Sequence, residues 1–167
     1  MSNFNDIMII FCLVLGDSPE KHFSIDIDPS CKTFVEGKGF SFDKLNFGHF
    51  QQLICDKIKY ASRASDLELW KVFIPTEGDD EKLKILQDYA ENAHAEIDLE
   101  KQLGGVKLLP SKKIKESFDK DPEDDYIHII VKRPGKVLII SLLKTRIFFD
   151  TPANLHFSFD ILFPAFS

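Results

Sequence analysis

Two apolar runs lie far apart in the chain, Ile7 to Leu15 and, interrupted only by His128, Ile127 to Val131, each too short to be a buried helix and too apolar to form the edge of a sheet. Strands that lose the usual apolar–polar alternation are covered on both faces, so these two belong at the centre of a sheet. A fold that places both centrally must bring the beginning and end of a long segment side by side. The first run carries Asp6 before it, with no Lys or Arg and no small-x-small cleavage site after it. It therefore reads as a first strand and not as a secretory leader. It is also shorter than the ~20 residues a membrane-spanning helix needs.

The segments between are expected to fill in the rest. Gly16-Asp17-Ser18-Pro19 is a turn cluster, and Phe23 to Asp28 alternates strictly, which predicts an antiparallel hairpin with the first run. Cys31 to Phe42 has Gly37 and Gly39 but no period, and reads as a loop. From Asp43 the period becomes helical, with Phe47, Phe50, Ile54 and Ile58 on one side and Gln51, Gln52, Asp56 and Lys59 on the other. Asp43 or Asn46 is the candidate cap.

Asp66 to Pro75, DLELWKVFIP, then predicts a strand that puts Trp70 in the core, ended by a proline that cannot donate to a ladder. A second helical pattern runs through Leu83, Leu86, Ala90, Ala93 and Ile97 and stops at Gly104-Gly105. A polar segment anchored by Leu108, Leu109, Ile114 and Phe118 leads to the last strand, Tyr126 to Lys132. Hairpin, helix, strand, irregular segment, strand is the order of an α+β β-grasp fold: a mixed sheet with one main crossing helix and a second helical segment, its final strand paired beside the first.

At 167 residues and 44% apolar, the chain is long enough for one sizeable core, expected over residues 1–134. The net charge of −6 and pI near 5.3 argue against nucleic-acid contact or an anionic membrane surface. Much of the acidity is local, since Thr76 to Asp125 holds 15 acids against 8 bases and reads as a solvated face.

Chemistry is hard to find. Cys12, Cys31 and Cys55 form no C-x-x-C pair and support neither a disulfide framework nor a zinc site, with Cys12 and Cys55 reading as core. Asp26 and Asp28 have D-x-D spacing but occupy the solvent side of an ordinary strand. His49 and Cys55 face different ways on their helix, which disfavours a nucleophile pair. Gly37-Lys38-Gly39 lacks the spacing of a phosphate loop. Lys112-Lys113-Ile114-Lys115 is diluted by nearby acids, and His22, His94, His128 and His156 are scattered. The reading is a non-enzyme with no metal, no cofactor and no transmembrane segment.

Five blocks in order, FCLVLGD (Phe11–Asp17), FSIDID (Phe23–Asp28), LELWKVFIP (Leu67–Pro75), GGVKLLPSKKI (Gly104–Ile114) and EDDYIHIIVKRP (Glu123–Pro134), resemble the N-terminal domain of Crinkler effectors. The resemblance implies a ubiquitin-like fold for residues 1–134. It also implies a secreted, host-targeted protein of a filamentous microbe, whose N-terminal domain serves secretion and translocation into host cells, without catalysis of its own, while a variable C-terminal domain acts on host proteins, often in the host nucleus. Some members carry an L-x-L-F-L-A-K motif linked to translocation. Leu67, Leu69, Trp70, Lys71 and Val72 occupy the matching place, with Lys-Val where the motif has Ala-Lys. A conjugated ubiquitin-like modifier is disfavoured, because Gly104-Gly105 is internal; an intracellular ubiquitin-like interaction module is the alternative reading, its partners being cellular proteins.

Residues 135–167 form a hydrophobic tail with six of the 16 phenylalanines, too short for the usual effector domain. Either it docks on the N-terminal domain, or it marks a truncated or mis-spliced C-terminal region. The second fits better, since an exposed Phe-rich tail would invite aggregation.

Overall fold

The computed structural model describes residues 7–60, 63–92, 97–118 and 122–134; the Phe-rich tail, His94 and His156 lie outside them. Five strands form one mixed sheet. Strand β1 (Met8–Val14) pairs antiparallel with β2 (Phe23–Ile27) and parallel with β7 (Tyr126–Lys132). Strand β5 (Glu68–Pro75) pairs antiparallel with β7 on one side and with β6 (Val106–Leu108) on the other, which makes the order across the sheet β2-β1-β7-β5-β6. The first and last strands are thus neighbours inside the sheet, in the central positions of a β-grasp arrangement that their largely apolar character predicts.

Helix α1 (Phe47–Lys57) crosses one face. Its start is fixed by a reciprocal cap: Asn46 Oδ1 accepts from the His49 N–H at 2.9 Å, and His49 Nδ1 accepts from the Asn46 N–H at 3.3 Å. Phe47, Phe50 and Ile54 then drop into a core with Ile10, Cys12, Ile27, Leu69, Ile129 and Val131. Gln51, expected on the solvent side, is buried at 4% exposure, and its Nε2 donates to the Leu67 carbonyl at 2.6 Å. The side chain lies at the edge of the helical stripe, where a long amide can reach an unpaired carbonyl at the start of β5.

The opposite face is closed by α2 (Glu81–Glu91) and α3 (Leu99–Leu103), which bury Leu83, Leu86, Leu99 and Leu103 against Leu13, Val72, Ile74, Ile127 and Ile130. The second helical pattern is therefore two helices and not one. Asp80 caps the first, accepting from the Lys82 and Leu83 N–H groups, and Asp98 caps the second. The stop at Gly104-Gly105 has two different causes. Gly104 takes the left-handed conformation, φ 66°, that closes α3, while a Cβ on Gly105 would sit 2.8 Å from the Leu99 carbonyl oxygen.

Two stretches depart from the sequence reading. Within Cys31 to Phe42, β3 (Thr33–Val35) and β4 (Lys38–Phe40) form a small hairpin whose turn residues Glu36 and Gly37 both have positive φ, 49° and 77°. Strands of three residues show no period, and a glutamate is not a usual turn signal at such a position. The polar segment before β7 likewise hides β6 and the short helix α4 (Ile114–Ser117). Ile114 and Phe118 anchor it in the α1-side core as expected, but Leu109 is exposed.

Candidate functional site: the strand Leu67 to Val72

Of the five candidate residues, Leu69, Trp70, Lys71 and Val72 lie on β5 and Leu67 just precedes it; Leu69 to Lys71 are paired on both sides. Leu69 faces Leu108 of β6 and Val131 of β7, and Trp70 faces Lys107 and Ile130. Alternation divides the side chains. Leu67 and Leu69, 1% and 0% exposed, enter the α1-side core, while Val72 is buried on the α2–α3 side.

Trp70, expected in the core, is only half-buried. It packs at the margin of the α2–α3 cluster, against Gly105, with the Lys107 ammonium 5.9 Å from its ring centre. Beside it, Glu68 pairs with Lys107 at 2.6 Å and with Lys132 at 4.0 Å. The Lys107 contact holds the Glu68 carboxyl below its usual range, with Lys132 and the Trp70 side chain adding to it.

Lys71 shares the parity of Leu67 and Leu69, so its stem runs inward. Its ammonium donates to the Ser117 carbonyl at the end of α4 and lies 4.8 Å from the ring centre of Phe118. The apparent break in the apolar pattern is thus a tie between strand and helix. Just beyond it the ladder shifts: Lys71 faces Ile129 and Ile74 faces Ile127, so β5 carries one more residue than β7 between them. Phe73 emerges there, half exposed, and stacks on Tyr126 with ring centres 3.9 Å apart.

The remaining sequence candidates are not brought together. Asp26 is exposed, and Asp28 accepts from the backbone N–H and hydroxyl of Ser30 at 2.8 and 2.6 Å, which lowers its pKa. His49 serves as a helix cap with its ring against Phe40, and the Cys55 thiol donates to the Tyr60 carbonyl at 3.3 Å. Burial raises the thiols of Cys12 and Cys55, while Cys31 is exposed. Lys115 pairs with Asp43 and Lys113 precedes α4, so the basic cluster is spent on the surface. Among the described residues no group of His, Cys, Asp and Glu is placed to hold a metal ion, and no helix is long and apolar enough to cross a membrane. An open groove of about 570 Å³ beside α1 is lined by Gln52, Cys55, Arg63 and Pro110, among others.

Sequence reasoning passed over His128. It is 3% exposed, at the junction of β1 and β7, and its Nδ1 accepts the Phe11 N–H at 3.1 Å. Its position in an alternating strand was the available signal.

Residues 8–132 match the family described as the Crinkler effector protein N-terminal domain. No curated protein and no solved structure matches the chain.

Proposed function

This chain belongs to the Crinkler effector family, and on that premise we propose that it is a secreted, host-targeted protein whose N-terminal domain serves translocation into host cells and has no catalytic activity of its own. The observation that carries the reading is the family match, which spans the whole sheet from β1 to β7. The partners it implies are host proteins, with the host nucleus as a destination.

The segment Leu67–Val72 contributes to this by holding the domain together, not as a peptide read from the surface. Two observations support this: both edges of the strand are paired along Leu69 to Lys71, and Leu67, Leu69 and Val72 are buried. A receptor that bound the motif as an extended peptide would first have to remove β5 from the sheet, at a cost comparable to unfolding the domain.

The test is to tag the chain in the producing organism and follow it, beside a cytosolic marker, in culture medium and host tissue. Recovery in the medium and in host cells is expected. Strict retention with the marker would overturn the proposal and leave an intracellular ubiquitin-like interaction module as the better account.

A further inference from the structure

The β1–β7 seam contains a bond of unusual chemistry. Cys12, Leu13 and Val14 pair with Ile129, Ile130 and Val131 as an ordinary parallel ladder. One residue earlier, the Phe11 N–H is accepted not by a carbonyl but by His128 Nδ1, at 3.1 Å. A backbone amide can only donate, so this ring nitrogen carries a lone pair and the imidazole is neutral. A second proton would turn the acceptor into a donor and set two N–H groups against each other inside the sheet.

The surroundings give that proton little compensation. The His128 ring is enclosed by Phe11, at 6.0 Å between centres, and by the edge-on Phe118 that follows α4, at 6.3 Å. The charged and titratable groups facing this position are few. Lys71, from β5, is repulsive toward an imidazolium. Asp124 and the Glu123 carbonyl, from the turn before β7, are attractive. His22 lies on the far side of Phe11, its ring 5.5 Å from that of Phe11 and its Nδ1 2.9 Å from the Pro19 carbonyl.

We infer that His128 is an acid-sensitive latch on this domain: protonation at mildly acidic pH breaks its bond to Phe11 and opens the β1–β7 seam on which the closure of the sheet depends. Burial of the ring, reinforced by Lys71, holds the His128 imidazole below its ordinary range against the opposing pull of Glu123 and Asp124. The folded state therefore binds fewer protons here than the unfolded chain. Its contribution to stability is full above about pH 6.5 and is lost as pH falls from there toward the folded-state pKa. Since the open form takes up one additional proton, its population rises by up to ~10-fold per pH unit over that window.

The experiment compares the full chain with H128N, whose amide oxygen offers an acceptor near the place of Nδ1 but does not titrate, and with H22N as a control. Opening is read from exchange of the Phe11 and Leu13 amides, corrected for intrinsic chemistry, between pH 7.5 and 5. The wild-type chain and H22N are expected to open more readily as pH falls, and H128N to lose that dependence. An equal pH slope in H128N overturns the proposal. If H128N does not fold, ¹⁵N shifts of the wild-type histidine ring decide alone: an imidazolium at His128 with the Phe11 amide still protected overturns it equally.

Discussion

The two faces of the sheet are closed by different means, and the candidate strand belongs to both. On the α1 side the core is built around aromatic rings: Phe47 and Phe50 meet edge to face at 6.2 Å, and Gln51 and Lys71 each donate to a backbone carbonyl. On the α2–α3 side the core is aliphatic, and the aromatic ring, Trp70, stays at its margin with Ile85 and Ile97, beside the ion pairs of Glu68. The difference teaches that the largest side chain in the strand is not its principal anchor. What counts is how completely a side chain is enclosed and the cavity its truncation leaves, and Leu69 is fully enclosed whereas the tryptophan next to it is not.

That ordering can be broken by mutation. Leu69→Ala should cost about 2–5 kcal/mol, as truncation of a closed core position does, and Trp70→Ala less, about 2 kcal/mol, because a half-buried ring forfeits only part of its transfer energy. Urea unfolding of the two variants checks the order; a larger loss for Trp70→Ala would make the α2–α3 face the dominant one. A smaller effect sharpens the contrast. Lys71→Met keeps the stem but loses the bond to Ser117 and the contact with Phe118, and should cost about 1–2 kcal/mol in the same assay. A solvent-facing lysine would show no loss.

Much of this architecture was legible in the sequence, because β1, β2, α1, β5 and β7 are long enough to show a period and apolar enough to declare which faces are covered. The hairpin β3–β4, the strand β6 and the helix α4 were not, since three or four residues carry no period and their positions are set by partners distant in sequence. Val106, for example, is a strand residue through its pairing with Lys71 while its side chain remains 61% exposed. The site was located by its resemblance to a family motif, but the direction of its side chains follows from parity: Leu67, Leu69 and Lys71 are spaced by two, which already sends the lysine inward. The ladder irregularity beyond Lys71 had no such signal, because it arises from the register between β5 and β7.

The central claim is that the candidate segment, Leu67 to Val72, is an integral part of a β-grasp sheet, its residues from Glu68 onward forming a strand paired on both sides at Leu69 to Lys71. Amide hydrogen exchange at Leu69, Trp70 and Lys71 in the full chain, at neutral pH, tests it most directly. These amides should exchange only as slowly as those of Ile129 and Ile130, through opening of the whole sheet. Exchange as fast as at the exposed turn Gly78-Asp79 would show that the strand is available without unfolding, and would contradict the account.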